Sequence, residues 1–357
     1  MLHLLGWDTG FEDQFAKYQE KNLSPARVIR RGNQSYTIFD GKRSLQAKIT
    51  GKFRHHSNVS KDYPAVGDWI VYETKAHSEI ATIHAVLPRK SYFSRKLPIS
   101  GGRKFKKGVL EGGSTEEQVI AANIDVVLIV SGLDGNFDVR RIERFLTLTY
   151  NSGAAPVIVL NKMDLCNKID EYVEQVRQIA INVPTLVISV EKNKNMDSLL
   201  PYLTSGKTIA LLGSSGVGKS TLTNYLMGEE RQVKQPTSKA SGKGKHTTTS
   251  AELILHQSGY MIIDTPGLRE VQLWGDEEVL KETFQDVTVL FKRCRYSNCR
   301  HQTEPGCAIK QAIEDGVLSQ SRYESYLKQY DELFRLNRKK KKLDIQLNKK
   351  LKQRKNN

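Results

Sequence analysis

The stretch Gly213-Ser214-Ser215-Gly216-Val217-Gly218-Lys219-Ser220 constrains this chain more than any other. It has the form G-x-x-x-x-G-K-S. The apolar run Thr208-Ile209-Ala210-Leu211-Leu212 predicts a buried strand leading in, and Thr221-Leu222-Thr223-Asn224-Tyr225-Leu226 predicts a helix leading out. A strand, a glycine loop and a helix start make an anion cradle. The glycines let successive N–H groups converge on a phosphate, the helix adds its positive end, and Lys219 brings a mobile cation to the β- and γ-phosphates. The residues from Gly213 to Thr221 are therefore the candidate phosphate contacts, with Ser220 placed to ligate Mg²⁺. The expectation is an α/β nucleotide-binding domain.

The base is read elsewhere. Ala155-Pro156-Val157-Ile158-Val159-Leu160 predicts a buried strand and ends in Asn161-Lys162-Met163-Asp164, an N-K-x-D sequence. The Asp164 carboxylate accepts two hydrogen bonds from a guanine edge, a donor pair that adenine lacks there, while the Lys162 stem covers the ring. Adenine would leave that carboxylate desolvated and unpaired, which is how a polar site rejects a near-isostere. Ser189, after the predicted strand Leu186-Val187-Ile188, is placed to offer a backbone N–H to guanine O6.

Downstream of the phosphate loop, Gly259-Tyr260-Met261-Ile262-Ile263 predicts a strand that delivers Asp264-Thr265-Pro266-Gly267. Asp264 would hold the Mg²⁺ shell and the Gly267 N–H would sense the γ-phosphate. Residues 242–249 between the two loops are rich in Gly and Lys, too polar for a core and suited to a switch. Thr248, or its neighbour Thr247, completes the Mg²⁺ shell in that reading. The position after Gly267 is Leu268, where Ras-like enzymes carry the Gln that orients the attacking water.

The order of these motifs is N-K-x-D, phosphate loop, switch, D-T-P-G, whereas ordinary GTPases begin with the phosphate loop. The domain is circularly permuted. With the cysteine motif described next, this order resembles the bacterial ribosome-small-subunit-dependent GTPase A family over residues 26–330. The resemblance implies a multidomain chain with three parts: an N-terminal all-β OB-fold barrel, a central α/β P-loop GTPase in permuted order, and a C-terminal mostly α zinc-binding domain. It also implies action late in maturation of the small ribosomal subunit and makes His246 the residue that holds the attacking water. Boundaries are expected at 1–25 for a lead-in, 26–88 for the barrel, 89–114 for a basic linker, 115–285 for the GTPase, 286–334 for the zinc domain and 335–357 for a basic tail.

Cys294, Cys299, His301 and Cys307 offer three thiolates and an imidazole in one short segment, a donor set that closes a tetrahedral structural Zn²⁺ site. Their spacing is similar to that of the resembled family. Clustered cysteines point to a metal in a reducing compartment and not to a disulfide framework, and Cys166 is taken as a packing residue.

Charge is uneven. Residues 1–118 carry a net +8 and residues 335–357 a net +10, leaving a nearly neutral centre, so the flanks are expected to hold a polyanion. Short β-type runs at 26–30, 36–39, 44–50, 69–72 and 81–87 fit a small barrel. Its exposed face, with Arg27, Arg30, Arg31, Lys48, Lys52 and Arg54, would follow a phosphate backbone. His55 and His56 are read as a solvated loop pair. The segment 89–114 has no clear periodicity and is compatible with a flexible connection or with RNA contact. Tyr323, Tyr326, Tyr330 and Leu333 share one face of a predicted helix that runs on into the basic tail. No apolar run approaches the ~18 residues that span a membrane. A cytoplasmic monomer is expected.

The expected activity is hydrolysis of GTP to GDP and phosphate by a factor bound to the small ribosomal subunit and its rRNA, with Mg²⁺ on the nucleotide and one structural Zn²⁺. The D-T-P-G segment runs directly on through residues 268–285 into the cysteine region, a short covalent route from γ-phosphate to RNA-binding element. Two other classes stay open: an RNA-binding structural protein whose nucleotide site only stabilises the fold, and a GTPase of another ribosomal step.

Overall fold

The computed structural model describes residues 1–19, 23–32, 35–57, 59–74, 80–96, 117–228, 251–264, 271, 273–274 and 277–355. After a 3-10 turn at Leu2–Leu5 and helix α1 (Thr9–Gln19), the chain enters a five-stranded barrel. Its strands are β1 (Ser24–Arg31), β2 (Tyr36–Phe39), β3 (Ser44–Ile49), β4 (Trp69–Glu73) and β5 (Ile80–Val86), with the short helix α2 (Gly51–His56) between β3 and β4. Neighbouring strands pair antiparallel except β3 with β5, which run parallel, and β1 closes the ring by pairing with both β2 and β4. Ala26, Val28, Ile38, Ala47, Ile70 and Ile83 fill the interior. The histidines at 55 and 56 end α2 and are not in a loop; the Thr50 hydroxyl starts that helix by accepting from Phe53 N at 2.8 Å.

Residues 92–96, within the stretch expected to lack regular structure, form β6 (Tyr92–Lys96), which pairs antiparallel with β7 (Glu117–Ala122). Then come β8 (Val126–Gly132), α3 (Val139–Ser152), β9 (Ala155–Asn161), α4 (Ile169–Ile179), β10 (Thr185–Val187), β11 (Thr208–Gly213), α5 (Lys219–Met227), β12 (Glu252–Leu255) and β13 (Met261–Asp264). In space these strands lie in the order β10-β9-β8-β11-β13-β12, parallel except for β12. The near-continuous apolar runs follow from burial on both faces. Val127, Ile129, Ile158, Leu160, Ala210 and Leu212 point to the core shared with α3 and α4, while Leu128, Val130, Val157, Val159, Ile209 and Leu211 point to the core under α5. The phosphate loop, the N-K-x-D turn and Asp264 all leave the carboxyl ends of their strands, so one edge of the sheet collects them.

The barrel and this sheet are one hydrogen-bonded structure: Arg30 on β1 pairs with Glu252 on β12, backbone to backbone and by a 2.5 Å ion pair. Arg27, expected on the barrel's exposed face, is instead 1% exposed. The reason is that β1 has barrel interior on one side and the second sheet on the other, so Ala26, Arg27 and Val28 are all buried.

The C-terminal region is helical: α6 (Glu278–Lys281), α7 (Gln285–Phe291), α8 (Ala308–Glu314) and the long α9 (Gln320–Lys355). The expected face of α9 is packed inward, with Tyr323, Tyr326 and Leu333 buried. It docks on α3 through a buried charge network. Glu143 of α3, with no exposed surface, accepts from Arg322 at 2.6 Å and from the Ser325 hydroxyl at 2.5 Å. Arg322 also binds Asp286 at 2.9 and 3.0 Å and Thr283 O at 2.6 Å, so both charges are fully paired, which is what burial of ions demands. Among the described residues no helix is long and apolar enough to cross a membrane.

Candidate nucleotide and metal sites

The phosphate loop follows β11, and α5 begins at Lys219. Gly216 and Gly218 have φ of +80° and +95°, the left-handed region that favours glycine. At Gly218 a Cβ would also lie 2.3 Å from Asn161 Nδ2, so a side chain there would have to push the Asn161 amide aside. Lys219 Nζ folds over the loop and donates to Gly213 O at 2.8 Å and to Ser214 O, which places the ammonium in the cradle. Ser220 occupies the first turn of α5 and Asp264 ends β13, the strand next to β11. A serine hydroxyl in the first turn of the helix after β11 and a carboxylate at the end of the adjacent β13 are hard oxygen donors of the kind Mg²⁺ takes.

The N-K-x-D turn is tied to that loop. Asn161, 4% exposed, donates from Nδ2 to Val217 O at 3.0 Å and accepts at Oδ1 from Val190 N at 3.1 Å. It bridges phosphate loop, N-K-x-D turn and the loop after β10, with both ends of its amide engaged. Asp164 accepts a 2.5 Å hydrogen bond from the Ser189 hydroxyl, and this bond holds its carboxyl below the ordinary carboxylate range. The carboxylate stays ionised and aimed. The Ser189 hydroxyl is thus the group that reaches the N-K-x-D turn; its backbone N–H, expected to face guanine O6, is engaged at 3.1 Å by Lys194 O. Lys162 stands at φ +67° and its ammonium meets Asp134 Oδ2 at 2.6 Å. Asp134 was not legible as a site residue, since it lies in a turn with no motif of its own. The only signal is an acid just past a buried strand.

His246, Thr247, Thr248, Gly267 and Leu268 lie outside the described residues.

In the cysteine region, one donor atom from each of Cys294, Cys299, His301 and Cys307 lies within 4.8 Å of all the others. Zn–S bonds of ~2.3 Å and Zn–N bonds of ~2.0 Å imply tetrahedral edges of roughly 3.5–3.8 Å. His301 Nδ1 is 3.5 Å from Cys294 Sγ and 3.4 Å from Cys307 Sγ, close to those edges, so the donor set fits Zn²⁺ with Nδ1 as the nitrogen ligand. The imidazole stacks on Phe291 at 4.7 Å, and burial pushes its pKa down, favouring the neutral form that binds metal. Glu304 closes the loop by accepting from Arg300 N, Gln302 N and Thr303 N at 2.9, 2.9 and 3.1 Å. Those N–H groups bring its pKa down to about 2.

Comparison with known proteins agrees with this geometry. Residues 104–274 match the family described as RsgA GTPase, and residues 208–349 match that described as 50S ribosome-binding GTPase. The small ribosomal subunit biogenesis GTPase RsgA of Syntrophotalea carbinolica is 43% identical over 330 residues, 92% of this chain and 88% of that protein. The protein of the same name from Leptospira interrogans serogroup Icterohaemorrhagiae serovar copenhageni is 39% identical over 365 residues, 99% of this chain and 96% of its own. Among solved structures, YjeQ from Thermotoga maritima superposes with a TM-score of 0.63 at 28% identity, covering 87% of this chain and 99% of that one. YloQ, described as a circularly permuted GTPase, gives 0.60 at 25% identity, covering 88% and 96%. A permuted P-loop sheet between a closed barrel and a Cys₃His helical region, together with such relatives, establishes that the chain belongs to the RsgA GTPase family.

Proposed function

We propose that this protein binds the small ribosomal subunit, hydrolyses GTP to GDP and phosphate, and uses hydrolysis to time its release late in subunit maturation. The observation that carries this reading is the Asn161 bridge: phosphate loop and guanine-reading turn are locked together at one edge of the sheet, as a single GTP site requires. In that site Asp164 selects guanine, the loop N–H groups and Lys219 hold the phosphates, and Ser220, Asp264 and Thr248 take the metal. Mg²⁺ bound there neutralises charge on the β- and γ-phosphates. His246 orients the attacking water once the switch closes on the subunit, so hydrolysis is slow in its absence. The cysteine cluster stiffens a loop carrying Arg293, Arg295 and Arg300 for rRNA. The barrel's Arg30, Arg31, Lys48, Lys52 and Arg54 and the tail at 335–357 supply further phosphate contacts. The partition into lead-in, barrel, connector, GTPase, zinc domain and tail, a monomeric state and a cytoplasmic location belong to the same reading.

GTP turnover by the zinc-loaded protein, alone and with isolated small or large subunits, tests it, with Lys219→Ala as the blank. Stimulation confined to small subunits is expected. The match of residues 208–349 to the 50S ribosome-binding description favours one alternative, a GTPase of another ribosomal step, which stimulation by large subunits would establish. GTP binding without turnover on either particle would instead leave an RNA-binding protein whose nucleotide is structural.

A further inference from the structure

We infer that Asp134 is a positioning residue for guanine binding: it anchors the Lys162 ammonium so that the lysine stem stands as a fixed wall over the base. The inference rests on the GTP-site reading. Its basis is a division of labour between two acids. Asp164, which faces the base edge, is held by the Ser189 hydroxyl, while Lys162 from the same turn is drawn away to Asp134 on the neighbouring strand's turn. The turn that carries Asp134 is itself fixed. Leu133 N donates to Asn161 O at 2.8 Å, which fastens it to the N-K-x-D turn, and Asn136 N donates to Asp134 Oδ1 at 3.0 Å. That leaves Oδ2 for Lys162. Both side chains are mostly covered, at 20% and 26% exposure, so the pair is screened less than a surface pair. Lys162 holds the Asp134 carboxyl below its usual range, which keeps the pair ionised at neutral pH.

The chemical need is specific. A lysine stem covers a purine ring only if its charged end has somewhere else to be. Released from Asp134, the ammonium is free to turn to Asp164, two residues on, and to compete with guanine for the carboxylate that reads it. Asp134 would therefore act on nucleotide affinity and not on the hydrolytic step.

The test uses the full-length zinc-loaded protein and a fluorescent GDP analogue, with ADP as the base control. Asp134→Asn is expected to raise the GDP Kd about tenfold, the scale of one charge-assisted hydrogen bond. At saturating GTP, kcat with small subunits should stay within about twofold, so that the change falls on KM. Asp134→Glu should recover part of the affinity. In a Lys162→Met background, Asp134→Asn should have no further effect. An unchanged Kd in the single variant, or the same loss with Lys162 already removed, would overturn the inference. Wild-type protein that does not prefer GDP to ADP would overturn the GTP-site reading itself, and the inference with it.

Discussion

Replacing Cys307 by serine is expected to empty the metal site and loosen residues 292–307 while leaving nucleotide binding intact. Cys307 is 4% exposed, caps the start of α8, and its sulfur is 3.4 Å from His301 Nδ1, so its loss opens the donor tetrahedron at its most buried corner. Few other contacts of this loop substitute for the metal: Arg295 N to Gly306 O at 3.0 Å and the Glu304 carboxylate with its three N–H groups are all local. Structural zinc contributes about 10–16 kcal/mol to the folding of isolated finger peptides, far more than such turns provide. Helix α9 should nevertheless stay docked, because the Arg322, Glu143 and Asp286 network and the paired contact of Arg144 with Glu332 do not involve the metal. The measurements are zinc content, limited proteolysis mapped to the loop, and GDP titration. Retained zinc with full protection would show that the other three ligands suffice. Loss of GDP binding as well would show that the cluster and the nucleotide site fold as one unit.

The parts of this molecule that were legible in sequence are those in which chemistry fixes residue types at short range. A phosphate loop needs its glycines and lysine at short fixed spacing, and a metal site needs its donors within one loop, so Lys219 and Ser220 could be placed at the start of a helix and Cys294, Cys299, His301 and Cys307 in one donor cluster. Barrel strands β2 and β4 were legible from period and turns to within a residue of their observed bounds. What was not legible depends on distant pairing. Strand β6 makes its bonds with β7, across residues 97–116, and its Ser94, Arg95 and Lys96 give no apolar alternation by which to see it. Asp134 meets Lys162, 28 residues on, only because β8 and β9 are neighbours. At Ser189 the backbone N–H expected to be open is taken by Lys194 O, because sequence does not show which of a residue's donors its own turn engages. Arg27 was misplaced outright, because arginine on a half-buried strand ordinarily marks the solvent side.

Arg27→Met is expected to cost about 3 kcal/mol of stability, a figure set by the acceptors it would strand. The guanidinium donates from Nε to Gly67 O at 3.2 Å, from Nη2 to Asn123 O at 2.9 Å and to Thr208 Oγ1 at 2.8 Å, and from Nη1 to Leu5 O. It lies 5.6 Å from the centre of the Trp69 ring. Lead-in, barrel, the turn after β7 and the start of the phosphate-loop strand therefore meet on one side chain. Burial lowers its pKa to about 10, which still leaves it charged at neutral pH. Methionine fills much of the volume, and Gly67 O keeps its bond from Asn123 Nδ2 at 3.0 Å, while the Thr208 hydroxyl is free to rotate. The Leu5 and Asn123 carbonyls are then the buried acceptors at risk, each costing about 1–3 kcal/mol when left unsatisfied, partly offset by no longer burying a charge. Lysine should not rescue: one ammonium on a flexible stem cannot span acceptors arranged around a planar fork. Denaturant unfolding of Arg27→Met and Arg27→Lys checks this, with Arg30→Met, at the exposed ion pair to Glu252, as the contrast expected to change stability by less than about 1 kcal/mol. Equal small losses at all three would mean that the barrel and the nucleotide-binding sheet are held together by apolar contact across β1 and not by this buried cation.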